Sequence, residues 1–221
     1  MARKRKSNGK FNRQSKVQPK SEGQRIYLES LQDREINYTV CTAPAGSGKS
    51  YIGCYYAAKQ LLEGNIDRIY IARSPITVKS YSIGHIPGSM SEKYEPFLLP
   101  MIENFKKFLP EFSRWKSKIE TLSLAHIRGR SLEDCCLIVD EAQNLNVDAL
   151  KSVFTRISRN SKLILTGDTK QSDLTSGITD LEKVCESLEG MPSFEWVRMD
   201  SRDQQRNKNI TEILRRFKNI E

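Results

Sequence analysis

The chain has 221 residues, 38% hydrophobic and 29% charged, with 36 Lys and Arg against 27 Asp and Glu for a formal net charge of +9. That length and composition fit a globular protein of one substantial domain, and no apolar run approaches the roughly 20 residues of a membrane span. With no apolar N-terminal segment of the secretory kind, the chain is read as intracellular and cytoplasmic.

The charge is concentrated at the start. Arg3, Lys4, Arg5, Lys6, Lys10, Arg13, Lys16 and Lys20 face no acid within residues 1–20, so eight of the net nine charges sit there. Residues 1–22 read as a disordered basic tail ahead of a single domain, 23–221. Two readings of the tail stay open: a solubilising terminus, or a non-specific anchor for nucleic acid. Cys41, Cys54, Cys135, Cys136 and Cys185 form no C-x-x-C pair, and His85 and His126 add no metal spacing, so the thiols are read as small reduced hydrophobes.

Along the domain, "INYTV" predicts a strand and residues 49–63 a helix stopped at Gly64-Asn65. "RIYIA" and the weaker "IETLSL" are short strand-like runs, and "CCLIVD" has the continuous apolar content of a strand buried on both faces. Asn146 caps a helix with Val147, Leu150, Phe154 and Ile157 on its stripe, and "SKLILTGD" is a further buried strand. Leu181, Val184, Cys185 and Leu188 mark the next helix, "FEWVRM" a last strand, and Ile210, Ile213, Leu214 and Phe217 a final helix. The alternation predicts an α/β fold with a parallel sheet covered on both faces. Residues 74–118, punctuated by Pro75, Pro87, Pro96, Pro100 and Pro110, are an inserted segment whose own helix shows Leu98, Ile102, Phe105 and Leu109.

The chemistry sits at the strand ends. After "INYTV", the sequence "CTAPAGSGKSY" offers a turning backbone whose N–H groups cradle phosphate oxygens, followed by a helix N-terminus. Ala45, Gly46, Ser47, Gly48, Lys49, Ser50 and Tyr51 form the expected nucleotide cradle, with Lys49 on the outer phosphates and Ser50 on Mg²⁺. The pattern asks for glycine at position 43, where this chain has Ala43. The strand "CCLIVD" ends in Asp140-Glu141: Asp140 suits the Mg²⁺ shell beside Ser50, and Glu141 suits a general base or orienter of water. The tip of "LTGDTKQSDL" brings Asp168 and Gln171 to the same edge. Gln171 reads as a γ-phosphate or water-orienting residue, or as part of an ordinary strand-to-helix turn.

"APAGSGKSY", "RSPITV", "HIPGSMSEKYEPFLLPM", "AHIRGRSLEDCCLIVDEAQN", "TRISRNSKLILTGDTKQSDL" and "MDSRD" together resemble the PhoH-like proteins, phosphate-starvation-inducible P-loop ATPases akin to the first motor domain of superfamily 1 helicases. The resemblance runs from about Gln24 to the end. It implies a RecA-like P-loop NTPase core, ATP and Mg²⁺ as cofactors, a homo-oligomeric ring (a hexamer in the family), single-stranded RNA or another nucleic acid as partner, and a short phage or bacterial form. It also implies that Gln24 stands where the helicase Q motif reads adenine. Two positions depart from the family pattern: Ala43, and Asp203 where histidine generally follows the arginine.

Arg73, Arg128, Arg130 and Arg202 have two readings, as surface or carboxylate-paired arginines within the subunit, or as donors to a neighbour's transferring phosphoryl group. Arg128 and Arg130 come first for the second role, then Arg202. In the insertion, Lys79-Tyr81, Lys93-Tyr94, Lys106-Lys107-Phe108 and Arg114-Trp115-Lys116 mix cations with aromatics, as core residues or as a grip on single strands. The expected function is Mg-dependent ATP hydrolysis coupled to nucleic-acid remodelling. A phosphotransferase and an ATP-gated RNA-binding switch with little turnover are the alternatives.

Overall fold

The computed structural model describes residues 17–74, 90–124, 127, 129–168, 177–205 and 216, with the side chains of 90–97 left aside. The basic tail through Lys16, Lys79-Tyr81, the side chains of Lys93-Tyr94, Arg128, Gln171 and the final stripe from Ile210 to Phe217 lie outside these described residues.

Six strands make one parallel sheet. In chain order they are β1 (Tyr38–Thr42), β2 (Arg68–Arg73), β3 (Ile119–Thr121), β4 (Cys135–Asp140), β5 (Lys162–Gly167) and β6 (Phe194–Arg198), and across the sheet they run β3-β2-β4-β5-β1-β6. The helices are α1 (Glu22–Gln32), α2 (Lys49–Leu62), α3 (Met90–Phe108), α4 (Val147–Phe154) and α5 (Asp180–Leu188). β5 stands between β1 and β4, the arrangement of a RecA-like P-loop core.

The unbroken apolar runs of the central strands serve two cores. Cys136 and Ile138 of β4 and Ile164 of β5 pack with α1, α2 and α3 on one face. Cys135, Leu137, Val139, Leu163 and Leu165 pack with α4 and α5 on the other. Strand alternation sends neighbours to opposite faces, so a strand covered twice shows no polar side. The crossover through α2 leaves β1 on the first face, and the one through α5 leaves β5 on the second, in opposite directions along the sheet. The carboxyl ends of β1 and β5 therefore meet at a switch point, where open α/β sheets bind ligands.

Several details differ from the sequence expectations. α1 was not expected, although Ser21 caps it through the Gln24 N–H and Tyr27, Leu28 and Leu31 give it a buried stripe. The third run is a strand only over Ile119–Thr121. Val147 is exposed at the start of α4, and Ile157 lies past that helix in a bridge to Leu132. The helix expected in the insertion forms as α3, which runs through Pro100 and buries Leu98, Met101, Phe105 and Phe108; what differs is Leu109, which falls just beyond its end. A proline inside a helix costs roughly 3 kcal/mol, whereas each such side chain gains about 1.5–3 kcal/mol on burial, so packing wins.

At the opposite end of the sheet, the Lys162 ammonium is buried and donates to the carbonyls of Leu31 (2.6 Å), Asp33 (2.9 Å) and Ser30 (3.3 Å) at the C-terminus of α1. It also lies 5.1 Å from the Tyr56 ring centroid. The five cysteines are buried and unpaired, and burial pushes the Cys135 thiol up to about 11. Among the described residues, no helix is long and apolar enough to cross a membrane.

Candidate nucleotide site

β1 ends in a loop whose carbonyls are tied down one after another. Gln204 donates its side chain to the Ala45 carbonyl (3.2 Å), the Gln205 amide donates to Gly46 (3.0 Å), and Gln24 Nε2 donates to Ser47 (2.8 Å). Gly46 and Gly48 hold φ of 84° and 85°, the left-handed region that a Cβ disfavours. Ile52 is the first residue of α2 to bond backward, to Gly48 at 2.9 Å. The amide N–H groups of Gly46, Gly48, Lys49, Ser50 and Tyr51 find no acceptor among the described residues. A helix start leaves such donors over, and here no side chain caps them. The Ser47 hydroxyl is likewise buried without a partner. A ligand rich in acceptor oxygens and negative charge satisfies this donor set, which fits a polyphosphate.

Ala43 keeps an ordinary φ and donates its N–H to Gly167 at 2.9 Å, so the missing glycine causes no strain. Lys49 Nζ rests on the Ala43 carbonyl at 3.2 Å. Ser50 Oγ donates to Asp140 Oδ1 at 3.1 Å, and Thr166 donates to the same oxygen at 2.5 Å. Asp140 is buried, and among the described residues it forms no ion pair. An acid desolvated this way suits a hard cation with oxygen ligands, so Ser50 and Asp140 together fit Mg²⁺. Thr166 was not anticipated, although its place one residue before the Gly-Asp tip of β5 puts it level with the site.

Glu141 follows in a left-handed conformation, φ 56°. Its Oε1 accepts from Arg73 Nη2 at 2.9 Å and its Oε2 from Gln143 Nε2 at 2.7 Å. Gln143 Oε1 in turn accepts the Asp168 amide at 3.0 Å, and Asp168 Oδ2 accepts the Ala45 amide at 3.1 Å. One hydrogen-bonded chain thus links the ends of β2, β4 and β5 to the phosphate loop. Gln143 was not anticipated, Asp168 stands at the expected edge, and Arg73 takes the carboxylate-paired one of its two readings, with Glu141 as the partner that the tertiary arrangement reveals.

Other candidates lie apart from that chain. Gln24 is buried, and its Oε1 accepts the Lys20 amide at 2.8 Å, so one end of its amide is anchored ahead of α1 while the other braces the loop. The Tyr51 ring packs on Phe108, centroids 4.9 Å apart, with the Lys107 ammonium at 5.8 Å. Arg130 pairs with Glu120 (3.3 Å) and lies 5.9 Å from the Tyr70 ring. Arg202 is clasped by Asp200 at 2.6 Å and projects into solvent. Neither arginine bonds Lys49, Ser50, Asp140 or Glu141.

Comparison with known proteins gives consistent matches. The profile of the PhoH family, described as PhoH-like protein, matches residues 16–218. A PhoH-like protein of Synechocystis sp. is 35% identical over 184 residues, covering 79% of this chain and 55% of that protein. One from Bacillus subtilis is 32% identical over 206 residues, covering 91% and 64%. Protein PhoH of Escherichia coli K12 is 30% identical over 174 residues, covering 74% and 47%. The chain therefore spans between about half and two thirds of the length of these relatives. Among solved structures, a Pif1 helicase from Candida albicans matches 88% of this chain and 43% of its own, at 15% identity and a TM-score of 0.39.

Proposed function

The chain belongs to the PhoH-like protein family, and from that premise we propose that this P-loop NTPase binds Mg·ATP and hydrolyses it, in work coupled to single-stranded nucleic acid. The observation that carries the reading is the contact of Ser50 with Asp140, with Glu141 next in the chain and turned by Arg73 and Gln143. The loop amides from Gly46 to Tyr51 bind the phosphates, and Lys49 leaves the Ala43 carbonyl to reach the outer ones. Ser50 and Asp140 would hold Mg²⁺, which when bound supplies neutralisation of charge across the β- and γ-phosphates. Glu141 orients a water in line with the γ-phosphoryl group and accepts its proton. Gln171, on the segment after β5, contributes to orienting that water or the γ-phosphate.

The basic tail supports nucleic acid as partner, RNA foremost, and the family resemblance supports a ring in which a neighbour lends an arginine. The test is phosphate release by the full chain and by Glu141→Gln, with and without RNA. The variant should bind ATP normally and lose about 10²- to 10⁴-fold in rate, the usual cost of a missing base. Full-rate hydrolysis by Glu141→Gln would remove that residue from the reaction. Tight ATP and RNA binding with negligible turnover by the unaltered chain would favour the ATP-gated switch.

A further inference from the structure

Resting on the proposed ATPase reading, we infer that Arg73 is a positioning residue for Glu141, holding the carboxylate in the orientation from which it engages water. Arg73 is the last residue of β2 and stands in register with Asp140 on β4, so its guanidinium extends from a rigid strand end beside the carboxylate pair. Its Nη2 donates to Glu141 Oε1 at 2.9 Å while Gln143 holds Oε2 at 2.7 Å. The Arg73 side chain is 17% exposed and that of Glu141 29%, which makes this the most sheltered ion pair among the described residues.

A glutamate has three side-chain torsions to fix. Here the left-handed backbone of Glu141 sets the root of the side chain, and two donors on different elements set its tip. A carboxylate accepts about four hydrogen bonds, so each oxygen keeps a lone pair for water after these contacts. Holding a reacting group within a fraction of an ångström of its productive place is worth large factors in rate, because misplacement by about 1 Å can cost 10²-fold. Gln143 cannot do this alone, since rotation about its single contact leaves Oε1 free to swing. The competing role is direct: a guanidinium carries five donors, and one aimed at the γ-phosphate would bind ATP rather than position the glutamate.

The two roles separate in a cycle of full-chain variants: Arg73→Ala, Arg73→Lys, Glu141→Gln, and the Arg73→Ala/Glu141→Gln pair. Each is assayed for kcat and KM by phosphate release, and for affinity toward ADP and a non-hydrolysable ATP analogue by fluorescence titration. Arg73→Ala should lower kcat about 10- to 100-fold with KM and both affinities held within about twofold, the signature of an interaction that serves the transition state. Arg73→Lys should recover part of the loss. In the Glu141→Gln background Arg73→Ala should add nothing, because the group it acts through is gone.

A selective loss of affinity for the ATP analogue would place Arg73 on the γ-phosphate and overturn the inference. So would the same fold-loss in both backgrounds, or an Arg73→Ala protein that hydrolyses as fast as the parent or faster. Should Arg73→Ala melt early or fail to bind ADP, Arg73→Gln and Arg73→Lys carry the same cycle. Failure of the underlying reading has its own mark, wild-type hydrolysis by Glu141→Gln alone, whatever Arg73 does.

Discussion

The Asp203 carboxylate accepts the amide N–H of Gly23 at 3.1 Å, joining the start of α1 to the turn after β6 across 180 residues of sequence. Its second oxygen accepts the Asp200 amide at 2.9 Å. Gln24 follows on one side and Gln204 and Gln205 on the other, and all three hold carbonyls of the phosphate loop. The histidine that the family resemblance leads one to expect here would offer at most one acceptor, whereas the carboxylate satisfies two N–H groups. The aspartate is therefore a brace, with no need of a histidine's chemistry.

Asp203→Ala should cost about 1–3 kcal/mol in urea unfolding, the usual penalty for orphaned donors, and should weaken ATP binding through the loosened loop. Gly23→Ala is tighter still, because a Cβ there would lie 2.7 Å from the Asp203 carboxylate. Unchanged stability in both variants would show that the joint is slack.

Ala43 and Gly48 should respond in opposite ways to exchange of alanine and glycine. Ala43 already has an ordinary backbone, so Ala43→Gly should leave ATP affinity nearly unaltered and lower stability by roughly 0.5–1 kcal/mol through unfolded-state entropy. Gly48→Ala forces a side chain into φ 85° with its Cβ 3.1 Å from Gln24 Nε2, and should abolish tight ATP binding. Isothermal titration with ADP decides both; equal affinities would mean the loop adjusts freely.

Strand identity, strand direction and the P-loop with its carboxylate partner were legible because each rests on local pattern. "CCLIVD" has no polar position to fall on a solvent face, and "GSGKS" has few uses besides phosphate. What stayed hidden was pairing over distance. Nothing near Arg73 announces Glu141, nor does Asp203 announce Gly23, since both contacts depend on strand order. α1 was legible in principle, from a serine cap and buried Tyr27, Leu28 and Leu31, but its short stripe sits beside a polar tail that masks the period. The helix of the insertion was legible from Leu98, Phe105 and Leu109 in spite of its prolines, because tertiary burial of α3 outweighs a local penalty.

Truncation separates the tail from the site. Val17 packs against the first core, and the Lys20 amide holds Gln24 Oε1, so removal of residues 1–16 is the clean test and removal through 20 is not. The shorter deletion should leave RNA-free turnover unchanged. It should flatten the salt dependence of RNA binding, by roughly 0.7 in log–log slope for each lost phosphate contact. An unaltered slope would leave the tail a solubilising terminus.

Lys162 makes stability depend on alkaline pH. Burial lowers its pKa from 10.5 to about 8. Below about 8 the ammonium is charged in both states and its burial is a cost. Between about 8 and 10.5 the unfolded chain keeps a proton that the folded chain has shed, so this group's contribution rises with pH, by up to about 1.4 kcal/mol per unit. The carbonyls of Ser30, Leu31 and Asp33 and the Tyr56 face oppose the shift by favouring the charged form. Urea unfolding of the parent and Lys162→Met across pH 7–10 isolates this group from the thiols that titrate nearby. A stability difference that does not change with pH would show that the carbonyls hold the proton.

The proposed ring predicts that Arg130 serves a neighbour rather than its own subunit. Arg130 lies against Tyr70, three positions before Arg73 on β2 and so about 10 Å by strand rise from the end of the sheet that holds Glu141. Its partner Glu120 does not bind it firmly, because an exposed ion pair of this kind is worth about 0–1 kcal/mol, little enough for a phosphate to displace. Mixing two inactive proteins, Glu141→Gln and Arg130→Ala, tests the arrangement. In a mixed assembly the first can lend Arg130 to a copy of the second, which still has its glutamate, and activity should return at the interfaces where that pairing falls. The same mixture with Arg128→Ala or Arg202→Ala ranks the three arginines. Arg202 should rank last, because its guanidinium makes three hydrogen bonds to Asp200, the shortest 2.6 Å, where that of Arg130 makes two to Glu120 at 3.3 and 3.4 Å. Exchange of subunits without recovery in any mixture would put the arginine in cis, and a fully active monomer would end the shared-site proposal.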